Sequence, residues 1–170
     1  MIYIRWSKSD PQMKIINSNG GTWYADVSCD VRNELNGRRP NPNKKPSLEV
    51  VHAITKSNEE TNLAVMPRQF PNGIWKITKI EPRTDGYRAP FIIFTDAWQV
   101  LNLWRTGPDG GYLEKTNTLV NDYIYGLHFS MSNTTQGCIK IHDIMALRQL
   151  VKELNIELEQ NEYPTIEVLC

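Results

Sequence analysis

Short stretches in which apolar and polar residues alternate recur along most of this chain, and one longer stretch near its end switches to a helical period. The alternation in residues 2–6 (IYIRW) and 13–17 (MKIIN) predicts the two strands of a hairpin. Residues 22–31 (TWYADVSCDV) predict a third strand after the turn signal Asn19-Gly20-Gly21. Residues 62–67 (NLAVMP), 73–81 (GIWKITKIE), 91–95 (FIIFT) and 98–104 (WQVLNLW) are short, rich in β-branched or aromatic residues, and punctuated by Gly, Pro and Asp. Residues 122–130 (DYIYGLHFS) predict another strand carrying His128 near its end, and 164–170 (PTIEVLC) a closing strand at a sheet edge. Such even spacing of short strands predicts a mainly β fold, a sandwich or barrel.

Beyond Ile141 the period changes. Ile144, Leu147, Leu150, Val151 and Leu154 recur at the spacing of one helix face, and Asp143 stands where an N-cap carboxylate would accept from the helix's free amides. With this helix the fold is α+β overall. Residues 47–56 (SLEVVHAITK) fit helix or strand, with a lean to helix, and Pro40, Pro42 and Pro46 predict a stiff loop before them. There is no internal repeat and no low-complexity segment, so all 170 residues read as a single domain.

Composition narrows the class. Hydrophobic residues make up 40% and charged residues 22%, the mix of an ordinary globular protein. Nineteen basic residues balance nineteen acidic ones, so no overall field draws the chain to nucleic acid or to an anionic membrane. The densest basic stretch, residues 37–46 (GRRPNPNKKP), reads as a solvated loop, with contact to an anionic ligand or partner as the alternative. No apolar run approaches the ~18 residues needed to span a bilayer, and the N-terminal stretch MIYIRWSKSD has no h-region of a Sec signal, so synthesis in the cytoplasm is expected. Cys29, Cys138 and Cys170 are an odd set without paired spacing, which suggests neither a disulfide framework nor a zinc ribbon. The five tryptophans fall within apolar strand patterns and are expected to pack rather than to line a glycan groove.

One stretch asks for chemistry. In residues 133–141 (NTTQGCIKI) Cys138 follows a glycine, between a polar loop and an apolar pair, and His128 precedes it by ten positions. If His128 ends one strand and the loop folds back, imidazole and thiol come within reach as a nucleophile and its base. A neighbouring imidazolium lowers a thiol's pKa and yields thiolate. Gly137 leaves room for close backbone approach, and the amides of Gly137 and Cys138 are candidate donors to a tetrahedral oxyanion. Ser130, Ser132, Thr134 and Thr135 supply hydroxyls that can orient the imidazole or hold the loop.

Thr135-Gln136-Gly137-Cys138-Ile139-Lys140 resembles the Ser/Thr-x-Gly-Cys-aliphatic-Arg/Asn signature of the L,D-transpeptidase (YkuD-type) catalytic domain. In that family an upstream His in a His-Gly-Ser/Thr context activates the Cys, and here residues 127–130 (LHFS) supply His128 and Ser130. Residues 70–77 (FPNGIWKI) resemble the family's earlier Pro-x-Gly strand. The resemblance covers about residues 62–170 as the catalytic core and leaves 1–61 as an N-terminal β-rich elaboration; its specific part is 128–140. The short His-to-Cys interval is most similar to compact L,D-transpeptidase-like effectors of type VI secretion, which act on peptidoglycan in the periplasm of a competing cell.

The resemblance implies attack by the Cys138 thiolate on the stem tetrapeptide, at the bond between the diamino acid and the terminal D-alanine. A thioester acyl-enzyme then passes to water (L,D-carboxypeptidase) or to an amine (L,D-transpeptidase exchange), without cofactor or metal. His128 is the base and then the acid. Gln136 joins Gly137, Ser130 and Thr135 in support of the oxyanion and the loop, and Phe129 and Lys140 are expected to contact substrate. A cognate immunity protein is an expected partner. Phe129 stands where the family has Gly, Gln136 where it has His, and Lys140 where it has Arg or Asn.

Other chemistries fit less well. Papain-like and NlpC/P60 hydrolases place Cys before His, and sortases use a longer interval with a downstream Arg strand. His142 lies four residues after Cys138 and would share its face on a continuous helix, but with His52 and Cys29 it forms no metal-site spacing; it reads as a residue at the start of the helix. The alternative outside enzymology is a β-rich module that binds cell wall or a secretion or phage structural protein, with Cys138 buried as a small hydrophobe.

Overall fold

A computed structural model describes residues 1–29, 62–66, 68–82, 91–106, 112–123, 125–130 and 138–170. Among these the strands are β1 (Tyr3–Ser7), β2 (Gln12–Ile16), β3 (Thr22–Ser28), β4 (Asn62–Val65), β5 (Gly73–Pro82), β6 (Phe91–Thr95), β7 (Gln99–Thr106), β8 (Tyr112–Asp122), β9 (Gly126–Phe129), β10 (Ile139–Ile141) and β11 (Thr165–Leu169). One helix, α1 (Ile144–Glu159), accompanies them. The mainly β, α+β class expected from the alternation is the observed one. Two compact units are formed, one from residues 1–30, 69–97 and 124–170, the other from 31–68 and 98–123.

The first unit is a closed eight-stranded barrel in the order β1-β11-β5-β6-β9-β10-β3-β2. The N-terminal hairpin forms as expected, Ile4 pairing with Ile15, and β3 extends it. Two of the eight pairings are parallel, β1 with β11 and β9 with β10. Alternation decides what fills the interior: Ile4, Trp6, Met13, Ile15, Val27, Ile77, Ile93, Leu127, Ile139, Ile141, Ile166 and Val168 are all buried. Burying each such side chain contributes about 1.5–3 kcal/mol, and a one-residue slip of any strand would turn its apolar set outward. The barrel wall thus unites β1–β3 with strands from beyond residue 62.

Helix α1 adds Leu147, Leu150, Val151 and Leu154 to the same core. Its N-cap is Asp143, whose carboxylate accepts from the Met145 amide at 2.8 Å. Near its far end the buried Glu157 carboxylate accepts from the Ile2 amide at 2.6 and 3.0 Å, tying the helix to the chain just before β1. Gly73 has φ +143, and a Cβ there would meet the Trp75 ring at 2.9 Å. At Gly126 a Cβ would lie 2.4 Å from the Ile93 carbonyl oxygen, so β9 sits this close to β6 only because the residue has no side chain.

The second unit contains a three-stranded sheet in the order β4-β7-β8. Its buried cluster is Val65, Leu101 and Leu103, with Leu63 and Val120 against it. The Tyr112 hydroxyl donates to the Val65 carbonyl at 3.1 Å, and its ring meets Trp104 edge-on.

Three sequence expectations change. The closing strand β11 is not at an edge but lies between β1 and β5, because closure gives every barrel strand two neighbours. Residues 122–130 are not one strand: β8 ends at Asp122 and β9 begins at Gly126, in different sheets. Most of β8 had no predicted counterpart, since its alternation rests on exposed residues such as Leu113 and Leu119. The predicted segments at 37–46 and 47–56 lie outside the described residues. No helix among the described residues is long and apolar enough to cross a membrane.

Candidate active site on the outer face of the barrel

The parallel pair β9/β10 sets the geometry. Leu127 pairs with Ile139, His128 with Lys140 and Phe129 with Ile141, while β10 pairs on its other side with β3, Lys140 opposite Ser28. Leu127, Ile139 and Ile141 fill the interior. The residues between them, His128 and Lys140, with Ser28 across from Lys140, therefore belong to the outer face. Cys138 immediately precedes β10, and alternation carried back one residue puts it on the side of Lys140. The ten-residue interval in sequence becomes one strand across and two residues along, about 8 Å between Cα atoms from strand spacing and rise. Cys138 and His128 are both partly exposed.

Carbonyl partners assign the donor nitrogen of each imidazole. His128 Nδ1 lies 3.2 Å from the Phe129 carbonyl oxygen, which can only accept, so Nδ1 donates to it, and in the neutral ring Nε2 is the basic atom. The Ser130 amide, in the same peptide unit as that carbonyl, donates to the Ile141 carbonyl at 3.1 Å. His142 Nδ1 donates to the Ser130 carbonyl at 2.7 Å, and His142 Nε2 is 2.8 Å from Ser28 Oγ.

Lys140 is 6% exposed. Loss of hydration holds its ammonium below the usual lysine range, while the thiols of Cys138 and Cys29 act in the opposite sense. The three cysteines differ in access: Cys29 is buried and accepts from the Phe70 amide at 3.4 Å, Cys138 is partly exposed, and Cys170 is exposed.

Of the residues singled out from sequence, Cys138, His128 and Lys140 are brought to one face, with Ser130 at the exit of β9. Phe129 falls on the other side by alternation and packs against the barrel core. Thr135, Gln136 and Gly137 lie outside the described residues. His142, read as a residue at the start of the helix, is bonded to both flanking strands' ends. Four residues beyond Cys138 it shares that face through strand alternation, not through a helix, since α1 begins only at Ile144. Ser28 lies 114 positions away and left no signal in its neighbourhood. Among the tryptophans, Trp6 is in the core, Trp23 and Trp75 pack against it, and Trp98 is exposed beside Tyr123.

Two depressions bounded by described residues, about 470 Å³ between Tyr24 and Arg148 and about 270 Å³ around Asn102 and Trp104, include neither Cys138 nor His128. Among the described residues no group of three or more His, Cys, Asp or Glu is arranged to hold a metal ion. No protein-family model matches the chain, and no curated protein or solved structure matches it either.

Proposed function

We propose that this protein is a cysteine-dependent enzyme acting on the stem peptide of peptidoglycan, with L,D-carboxypeptidase or L,D-transpeptidase exchange activity, serving as an antibacterial secreted effector. The observation that carries the reading is the parallel register His128↔Lys140, which brings Cys138 and the imidazole to one partly exposed face, with Nδ1 committed to a carbonyl. His128 Nε2 takes the thiol proton and the sulfur attacks the carbonyl of the bond to the terminal D-alanine. The tetrahedral oxyanion is received by the amides of Gly137 and Cys138. His128 then gives its proton to the departing D-alanine amine, leaving a thioester. Water or an amine attacks that thioester, His128 again takes the proton, and the thiol is restored. Lys140, buried beside the sulfur, serves as counter-ion to the thiolate, and a partner immunity protein would act by covering this face.

Digestion of purified peptidoglycan, with muropeptides separated and weighed by mass, tests the proposal. Loss of one D-alanine from tetrapeptides, or its exchange for an added D-amino acid, is expected with the intact chain. The change should fall by at least about 10³-fold in Cys138→Ala and about 10²-fold in His128→Ala. Unaltered tetrapeptides after prolonged incubation with folded protein would sink the proposal.

A further inference from the structure

We propose that His142 is a positioning residue for this site, holding His128 in its reactive tautomer through the peptide units that leave β9. The inference rests on the reading of Cys138 and His128 as nucleophile and base. Two imidazoles bond successive carbonyls: His128 Nδ1 at 3.2 Å from Phe129 O, and His142 Nδ1 at 2.7 Å from Ser130 O. The carbonyls belong to adjacent peptide units, and the first of these is also held by the Ser130 amide bond to Ile141. Rotation of the second unit would disturb the first, and with it the bond that leaves Nε2 of His128 as the basic atom. Ser28 completes the support, its hydroxyl 2.8 Å from His142 Nε2. Because the Ser130 carbonyl accepts only, His142 Nδ1 donates to it, and in the neutral ring Nε2 accepts from Ser28. Ser28, on the opposite flank of β10, thus braces a ring that reaches across to the end of β9. Among the described residues, the titratable groups beside these two imidazoles on this face are Cys138, Lys140 and Asp26, whose carboxylate accepts from the Gln12 side-chain amide at 2.9 Å.

The experiment follows alkylation of Cys138 by iodoacetamide across pH, read by peptide mass, together with D-alanine release, in the full chain and in His142→Ala, His142→Asn and Ser28→Ala. In His142→Ala the alkylation midpoint should move up by about one pH unit toward the ~8.5 of a free thiol. Turnover should fall about tenfold with KM nearly constant, the pattern of a group that acts on the transition state rather than on binding. His142→Asn, whose amide still donates to the Ser130 carbonyl, should recover most of both effects, and Ser28→Ala should show a smaller shift. An unmoved midpoint in folded His142→Ala, or an Asn variant no better than Ala, would overturn the proposal. Should the Ala variant not fold, the other two decide it: a near-wild-type midpoint in His142→Asn with a raised one in Ser28→Ala supports it, and the reverse order overturns it. A wild-type Cys138 that already titrates as a free thiol overturns the active-site reading and this inference together, which separates that failure from one of His142 alone.

Discussion

The barrel and the three-stranded sheet are made from similar short alternating strands, yet they use alternation differently. In the barrel every strand has two partners and the inner row is buried to within a few per cent, as with Leu127, Ile139 and Ile141 at 0% exposure. In the sheet the buried cluster among the described residues is Val65, Leu101 and Leu103, and β8 turns Leu113 and Leu119 outward at 66% and 60%. A closed wall over-determines the position of each outward side chain, because its inward neighbours are locked by packing. That is the setting in which His128 and Lys140 are held side by side on the outer face, with Cys138 at the entry to β10.

The largest expected effect tests this contrast at its root. Leu127→Ala, beside His128, should cost about 2–5 kcal/mol and reduce D-alanine release along with stability, whereas Leu119→Ala should stay within about 0.5 kcal/mol in chemical denaturation. Equal costs would break the comparison. A smaller effect separates the inner face of the barrel from its outer face. The Lys140 ammonium is held below 10.5 by burial, so between its folded value and that of the unfolded chain the unfolded state binds more protons. Its burial therefore costs stability at neutral pH, and stability should rise as pH climbs through the lowered value toward 10.5. Lys140→Met should raise the melting temperature at pH 7 and weaken that alkaline rise, with Lys8, shifted the same way by its own burial, retaining part of it. If Lys140 is the counter-ion proposed above, the same substitution should slow Cys138 alkylation at pH 7 about tenfold. A less stable Lys140→Met with unchanged thiol reactivity would assign the lysine to packing alone.

Period and punctuation carried much of the fold. The hairpin of β1 and β2, the strand at 91–95 and the helix capped by Asp143 were legible because local alternation, turn residues and cap chemistry agree there. Barrel closure was not, since β11 reads as an edge until both its neighbours are known, and those lie far off in sequence. β8 was missed because its outward row is itself partly apolar. At the candidate site, the residue types and the ten-residue interval of His128 and Cys138 were visible. Their common face follows from a parallel register, which no local pattern encodes. The roles proposed for Lys140 and His142 rest on neighbours such as Ser28, more than a hundred positions away.

The most direct measurement uses the three thiols of one molecule. Alkylation of Cys29, Cys138 and Cys170 is followed by peptide mass at pH 6 to 9 in the native protein and in His128→Ala. Cys138 is expected to label at pH 6 well ahead of the exposed Cys170 and to lose that lead in His128→Ala, with Cys29 labelled only after unfolding. Cys138 keeping pace with Cys170 at every pH, or unchanged by loss of the imidazole, would contradict the pairing of sulfur and base.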